Sequence, residues 1–105
     1  MAKVVWTEKA SGHLQAIYEY IAHDSAVYAA RFVRTLVKST GKLELMPNCG
    51  RVVPEFNDPN LREVIYQNYR IVYRAINNQR TVEILAVVHC TRDFRQLPAT
   101  QWELS

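Results

Sequence analysis

The chain has 105 residues, enough for one domain around one small core and too few for a second. A hydrophobic content of 49% excludes an intrinsically disordered chain, while a formal net charge of +3 and a pI near 9.0 suit an acidic partner, whether nucleic acid or protein. Cys49 and Cys90 have neither CxxC nor zinc-ligand spacing and no signal sequence or long apolar span is seen, so the expectation is a reduced, cytoplasmic protein with no metal, no cofactor and no membrane partner.

Taken in order, Lys3 to Thr7 (KVVWT) is a β-branched run that predicts a first strand. From Thr7 to about His23 the spacing turns helical, with Ala10, Leu14, Ile17 and Ile21 on one stripe. His23-Asp24-Ser25 breaks the pattern, and Asp24 or Ser25 can cap the next helix. That second helix is expected from about Ala26 to Leu45, stopped by Pro47. Its inner side is Ala29, Phe32 or Val33, Leu36, Thr40 and Leu43, and Arg31, Arg34, Lys38 and Lys42 form a basic stripe elsewhere on it. So short a connection makes an antiparallel helical hairpin. The bland reading of the basic stripe is a solvated face.

Arg51–Phe56 (RVVPEF) then reads as extended, Asn57–Asn60 as a turn, and Leu61–Phe94 as a three-strand meander. The turns are placed at Gln67-Asn68 and at Asn77–Arg80, because Asn tolerates the left-handed backbone of tight hairpins. A symmetric register sets residue 65 opposite 70, 63 opposite 72, 74 opposite 83, 72 opposite 85 and 70 opposite 87. Alternation then puts Val64, Tyr66, Tyr69, Ile71, Tyr73, Ala75, Val82, Ile84, Ala86, Val88 and Cys90 on a covered face, with Arg62. Glu63, Arg70, Arg74, Glu83 and His89 fall on the reverse face, with His89 diagonal to Arg70. Arg74 faces Glu83 as a structural ion pair, Glu63 lies within diagonal reach of Arg70, and the tyrosines pack into the core. His89 reads as a hydrogen-bonded structural histidine before a catalyst, and His13 and His23 receive no function. The whole is an α+β fold of order β-α-α-β-β-β, a twisted antiparallel sheet with the N-terminal helical hairpin on one face and the other face open. Beyond Phe94 the tail has no strong pattern, though Leu97 and Trp102 are candidates to dock on the body.

With GRVVPE at Gly50–Glu55, LREVIYQNYRIVYR at Leu61–Arg74 and VEILAVVHCTRDF at Val82–Phe94, the chain resembles the RelE/ParE superfamily of bacterial type II toxins. The YRIVYR strand and the His-x-x-Arg-Asp ending look like its ParE side. The resemblance implies a cognate antitoxin whose disordered segment folds over the toxin. Leu14, Tyr18, Arg31, Arg34, Lys38 and Lys42 are the candidates to receive it, in a groove between hairpin and sheet.

The superfamily divides into two functions. ParE-like members bind DNA gyrase, through its A subunit, and block replication; RelE-like members cut mRNA on the ribosome. For cleavage, the resemblance puts Glu55 and Arg70 where ribonuclease members carry a catalytic Glu and Arg, with His89 as acid or base. The family's nucleases carry Lys or Tyr after the last strand, where this chain reads Cys90-Thr91-Arg92-Asp93-Phe94. Gyrase inhibition is therefore the leading reading. Arg62, Arg74, Arg92, Asp93, Phe94 and Trp102 are its target-binding candidates. An inactive member that only binds antitoxin is the third.

Overall fold

A computed structural model describes residues 1–96 of the chain. Strand β1 (Lys3–Trp6) leads into helices α1 (Glu8–Ala22) and α2 (Ala26–Ser39), followed by a 3₁₀ turn at Gly41–Glu44. Then come β2 (Arg51–Val52), β3 (Arg62–Tyr66), β4 (Tyr69–Ile76), β5 (Thr81–His89) and a last 3₁₀ turn at Phe94–Gln96.

Local chemistry sets these bounds. The Thr7 hydroxyl accepts the Ala10 N–H at 3.2 Å, capping α1, and donates to the Ile84 carbonyl at 2.7 Å, which fastens that helix to β5. Ser25, not Asp24, caps α2 by accepting the Tyr28 N–H. The second helix ends sooner than its apolar spacing predicts. The Ser39 and Thr40 hydroxyls donate to the Leu36 and Val37 carbonyls, Gly41 comes next, and the chain tightens into 3₁₀.

The sheet runs β1-β5-β4-β3-β2. The α+β class and the hairpin on one face are as expected, but the sheet is mixed rather than wholly antiparallel. β1 lies parallel to β5, from Lys3 opposite Thr81 to Trp6 opposite Ile84. Alternation in KVVWT identifies a strand; it holds no information on the direction of a partner so distant in sequence. A fifth strand also enters, because Arg51 and Val52 pair with Glu63 and Arg62 before Pro54, which has no N–H to give, ends the ladder.

Both helices rest on one side of this sheet. Ala10, Ile17, Leu36, Leu43, Ile71, Tyr73, Val82 and Ile84 form the main core, with the Phe32 ring set edge-on against Tyr66 and Tyr69. The first hairpin keeps the expected register, Ile65 opposite Arg70 and Glu63 opposite Val72. The second starts as expected, with Arg74 opposite Glu83 and Asn77, Asn78 and Gln79 all in the left-handed region.

Then it slips. Tyr73 pairs with Ile84 but Val72 pairs with Ala86, so Leu85 is the extra residue of a β-bulge. Past it, every β5 side chain changes sides. Val87 joins the helix-side core, whereas Ala86 and Val88 join Val53, Val72 and Phe94 on the reverse. His89 moves with Val87 to the helix side, opposite Tyr69, whose ring it meets edge-on at 5.4 Å. This corrects the expected pairing of His89 with Arg70. In the run Ile84-Leu85-Ala86-Val87-Val88 every residue is apolar, so nothing in the pattern marks which one is extra.

The reverse face is not open either. The loop from Val53 to Leu61 folds across it, and Val53, Val72, Ala86 and Phe94, flanked by Phe56 and Leu61, make a second, smaller core. No helix among the described residues is long and apolar enough to cross a membrane.

Candidate functional site

Arg70 leaves β4 on the reverse face and is only 5% exposed. A guanidinium cannot shed its charge, so burial is tolerable only where acceptors lie in its plane. Two carboxylates meet that need. Glu55, from the loop, is gripped bidentately, Nη1 donating to Oε2 at 2.5 Å and Nη2 to Oε1 at 2.6 Å. Glu63, from β3, accepts from Nε at 2.8 Å. Nη1 also donates to the Arg92 carbonyl at 3.2 Å, and the Phe94 ring lies 4.8 Å beneath the guanidinium carbon.

The Glu63 side chain is fully buried and also accepts from Arg51 Nε at 2.6 Å. Charges thus alternate in a row, Arg51–Glu63–Arg70–Glu55, that stitches β2, β3, β4 and the loop together. The Arg70 hydrogen bonds hold the Glu55 carboxyl below the usual carboxylate range, winning over the opposing effect of burial. In turn Glu55, then Glu63, raise the Arg70 pKa still further. A carboxylate held this way is a weak base, and a guanidinium with four of its five N–H groups on protein acceptors has little left for a phosphate.

The other sequence-predicted residues scatter. His89 is on the far side of the sheet, where its Nδ1 accepts the Thr91 N–H and sits 2.9 Å from the Thr91 hydroxyl. Glu55 and Arg70 are therefore brought together, and His89 is not brought to them. Arg62 lies on the Tyr73 side, donating to the Gly50 carbonyl at 2.9 Å, and its buried Nε has no hydrogen-bond partner among the described residues. Arg74 pairs with Glu83 at 2.8 Å, toward the far end of β4.

Arg92, Asp93 and Phe94 do gather at the Arg70 end. Phe94 is buried, and Asp93 is held at a pKa of about 2 by Arg95, which donates to it from Nη2 at 2.7 Å. Arg92 is exposed between two hollows. One, of about 200 Å³, lies toward His13, Tyr69 and His89; the other, of about 310 Å³, toward Glu55, Arg70 and Cys90. Trp102 and Leu97 lie outside the described residues.

On the helical side Leu14 and Tyr18 are half-buried, and Arg31, Arg34, Lys38 and Lys42 are exposed. The span Ala26–Ser39 contains no acidic residue, and among the described residues none of these four cations is ion-paired. No cluster of His, Cys, Asp and Glu among the described residues is placed to hold a metal ion.

Three features had no usable sequence signal. His13 Nδ1 accepts the Val87 N–H at 3.2 Å, covering the β5 edge where β1 has already ended. Arg51 enters the charge row only through the short strand β2. Gly50 packs so closely that a Cβ there would meet the Glu63 carbonyl at 2.6 Å and the Tyr73 hydroxyl at 2.7 Å, while its own N–H donates to that hydroxyl. The glycine of GRVVPE is thus explained by close packing.

No curated protein sequence matches the chain. Among solved structures it is similar to the chromosomal ParDE system of P. aeruginosa, with a TM-score of 0.69 and 24% identity over 85% of this chain and 96% of that one. The RelBE2 toxin–antitoxin complex of Mycobacterium tuberculosis gives 0.58 and 22%, over 84% and 96%. The isolated E. coli RelE toxin gives 0.50 and 15%, over 90% of each chain. At these identities the likeness shows a shared fold. The family model described as the ParE toxin of the type II toxin–antitoxin system parDE matches residues 4–94, from β1 through Phe94. With that match spanning both helices and all five strands, this chain belongs to the ParE toxin family of type II toxin–antitoxin systems.

Proposed function

We propose that this toxin acts by contact, binding DNA gyrase and stalling it on cleaved DNA, and that it cuts no RNA. The observation that carries this reading is the state of Arg70. Its guanidinium is buried and bonded to Glu55, Glu63 and the Arg92 carbonyl. A ribonuclease of this architecture needs a cation, a base and an acid converging on one phosphodiester. Here the cation and the candidate base neutralise each other, and the candidate acid, His89, faces the helices. Exposed polar groups at the C-terminal end, Arg92 and the Asp93–Arg95 pair, are the proposed contacts with the target.

A cognate antitoxin is the proposed second partner. The P. aeruginosa and M. tuberculosis neighbours are described as a ParDE system and a toxin–antitoxin complex, which supports it. On this chain the proposed seat is the hairpin side, where Leu14 and Tyr18 supply partly exposed apolar surface and Arg31, Arg34, Lys38 and Lys42 supply exposed positive charge.

The test sets purified toxin against gyrase and against a translating extract. Inhibited supercoiling with trapped gyrase–DNA cleavage complexes, both reversed by the antitoxin, is the expected result. Translation arrest with mRNA cut at ribosomal A sites would overturn the proposal in favour of a nuclease. Antitoxin binding with neither effect would leave an inactive, antitoxin-binding member of the family.

A further inference from the structure

We infer that Glu55, Glu63 and Arg70 are positioning residues, a clasp that fixes how the segment Arg92–Arg95 is presented to the target. The inference rests on the reading of that segment as the contact surface. After β5 the chain turns, with the Arg92 N–H donating to the His89 carbonyl, and leaves the sheet ladder. Beyond that point Phe94 packs into the second core, and the segment's polar contacts with the sheet and loop gather on one ion pair. The Arg92 carbonyl accepts from Arg70, the Phe94 N–H donates to Glu55 Oε2 at 3.3 Å, and the Phe94 ring lies under the Arg70 guanidinium and beside Phe56.

Stability alone does not call for such a device, since apolar residues of equal volume often hold a core as well as a buried ion pair. What a bidentate guanidinium–carboxylate pair adds is direction. Its fork fixes the two groups in one plane, and both groups here have hydrogen-bonding capacity left for the backbone of the same segment. Glu63 completes the arrangement from below: fully buried, it holds the Arg70 Nε edge so that the opposite edge points to Glu55. The consequence is a fixed exit, with Phe94 inward and Arg92 and Arg95 outward.

The test compares wild type with Glu55→Ala and Phe94→Leu by hydrogen–deuterium exchange, gyrase inhibition and antitoxin affinity. Glu55→Ala is expected to speed exchange in the Arg92–Arg95 stretch by about tenfold or more while β4 and β5 keep their protection. Inhibition should weaken by about tenfold or more, because a displaced contact surface loses affinity steeply, with antitoxin affinity within about twofold of wild type. Phe94→Leu, which keeps an apolar anchor but removes the ring from the guanidinium, should give the same pattern more weakly, and it serves if Glu55→Ala fails to fold. Exchange rising evenly through β3 to β5, or not rising in this stretch, overturns the clasp. Faster local exchange with undiminished inhibition overturns its positioning role. If wild type leaves gyrase untouched, the functional reading fails on its own, and the exchange data still decide whether the clasp exists.

Discussion

Arg70 and Arg74 sit on the same strand, and each is salt-bridged to a glutamate, yet their surroundings set different energies. The Arg74 and Glu83 side chains are 37% and 25% exposed, so water screens the pair and Arg74→Ala should cost no more than about 1 kcal/mol. Arg70→Ala takes the guanidinium from Glu55 and leaves the fully buried Glu63 with Arg51 alone, and should cost about 3–5 kcal/mol. Urea melts of the two variants side by side check the contrast. Glu55 adds a pH dependence of known sign. Its folded pKa is lowered, so the stability it contributes is complete above its ordinary value of 4.5 and is lost as pH falls through the lowered one. The melting temperature of wild type should therefore drop on acidification toward about pH 3, and Glu55→Gln should flatten that limb. At this scale the sequence carried about half of the site. Turn chemistry and alternation found Arg74–Glu83 and brought Glu63 near Arg70. Glu55 reaches Arg70 only through the fold of the 53–61 loop, which no periodicity records, so its place rested on family resemblance.

Strands and helices were the legible level, since caps, apolar spacing and Asn-rich turns act over a few residues. Thr7 and Ser25 cap where a Thr or Ser before an apolar period should. What escaped were features that relate one element to another, among them the direction of β1, the pairing of β2, the loop across the reverse face and the bulge at Leu85. That bulge shapes the candidate site, because a single extra residue sends His89 to the helices and leaves Arg70 among Glu55, Glu63, the Arg92 carbonyl and the Phe94 ring. The edge of β5 provides a further test. Past Ile84 no β1 residue remains to pair, and His13 on α1 accepts the Val87 N–H instead. His13→Ala should leave that donor without this acceptor and cost about 1–3 kcal/mol, seen in a denaturant melt together with faster exchange of the Val87 amide.

Across the whole molecule, charge is sorted by side. Among the described residues, cations along α2 and its 3₁₀ extension stand without carboxylate partners, whereas on the reverse of the sheet Arg51, Glu63, Arg70 and Glu55 pair and cancel. A stripe of that kind raises encounter rates with an acidic chain more than it tightens the final complex. Arg34→Glu with Lys38→Glu should therefore slow antitoxin association by about tenfold at low salt and change dissociation little. The deficit should narrow toward about 0.15 M salt as screening sets in, which stopped-flow mixing at two ionic strengths would reveal.

The hydrogen bond from Thr7 to Ile84 spans 77 positions, and β1 lies along residues made almost as late. At roughly 5–20 residues per second a ribosome takes about 4–15 s to synthesise that stretch. The helical hairpin is complete in sequence once Ser39 has been added, well before β5, the strand it is fastened to, has been made. A toxin wired this way is unfinished until β5 has been made, which leaves the proposed antitoxin an interval in which to meet its bare helices first.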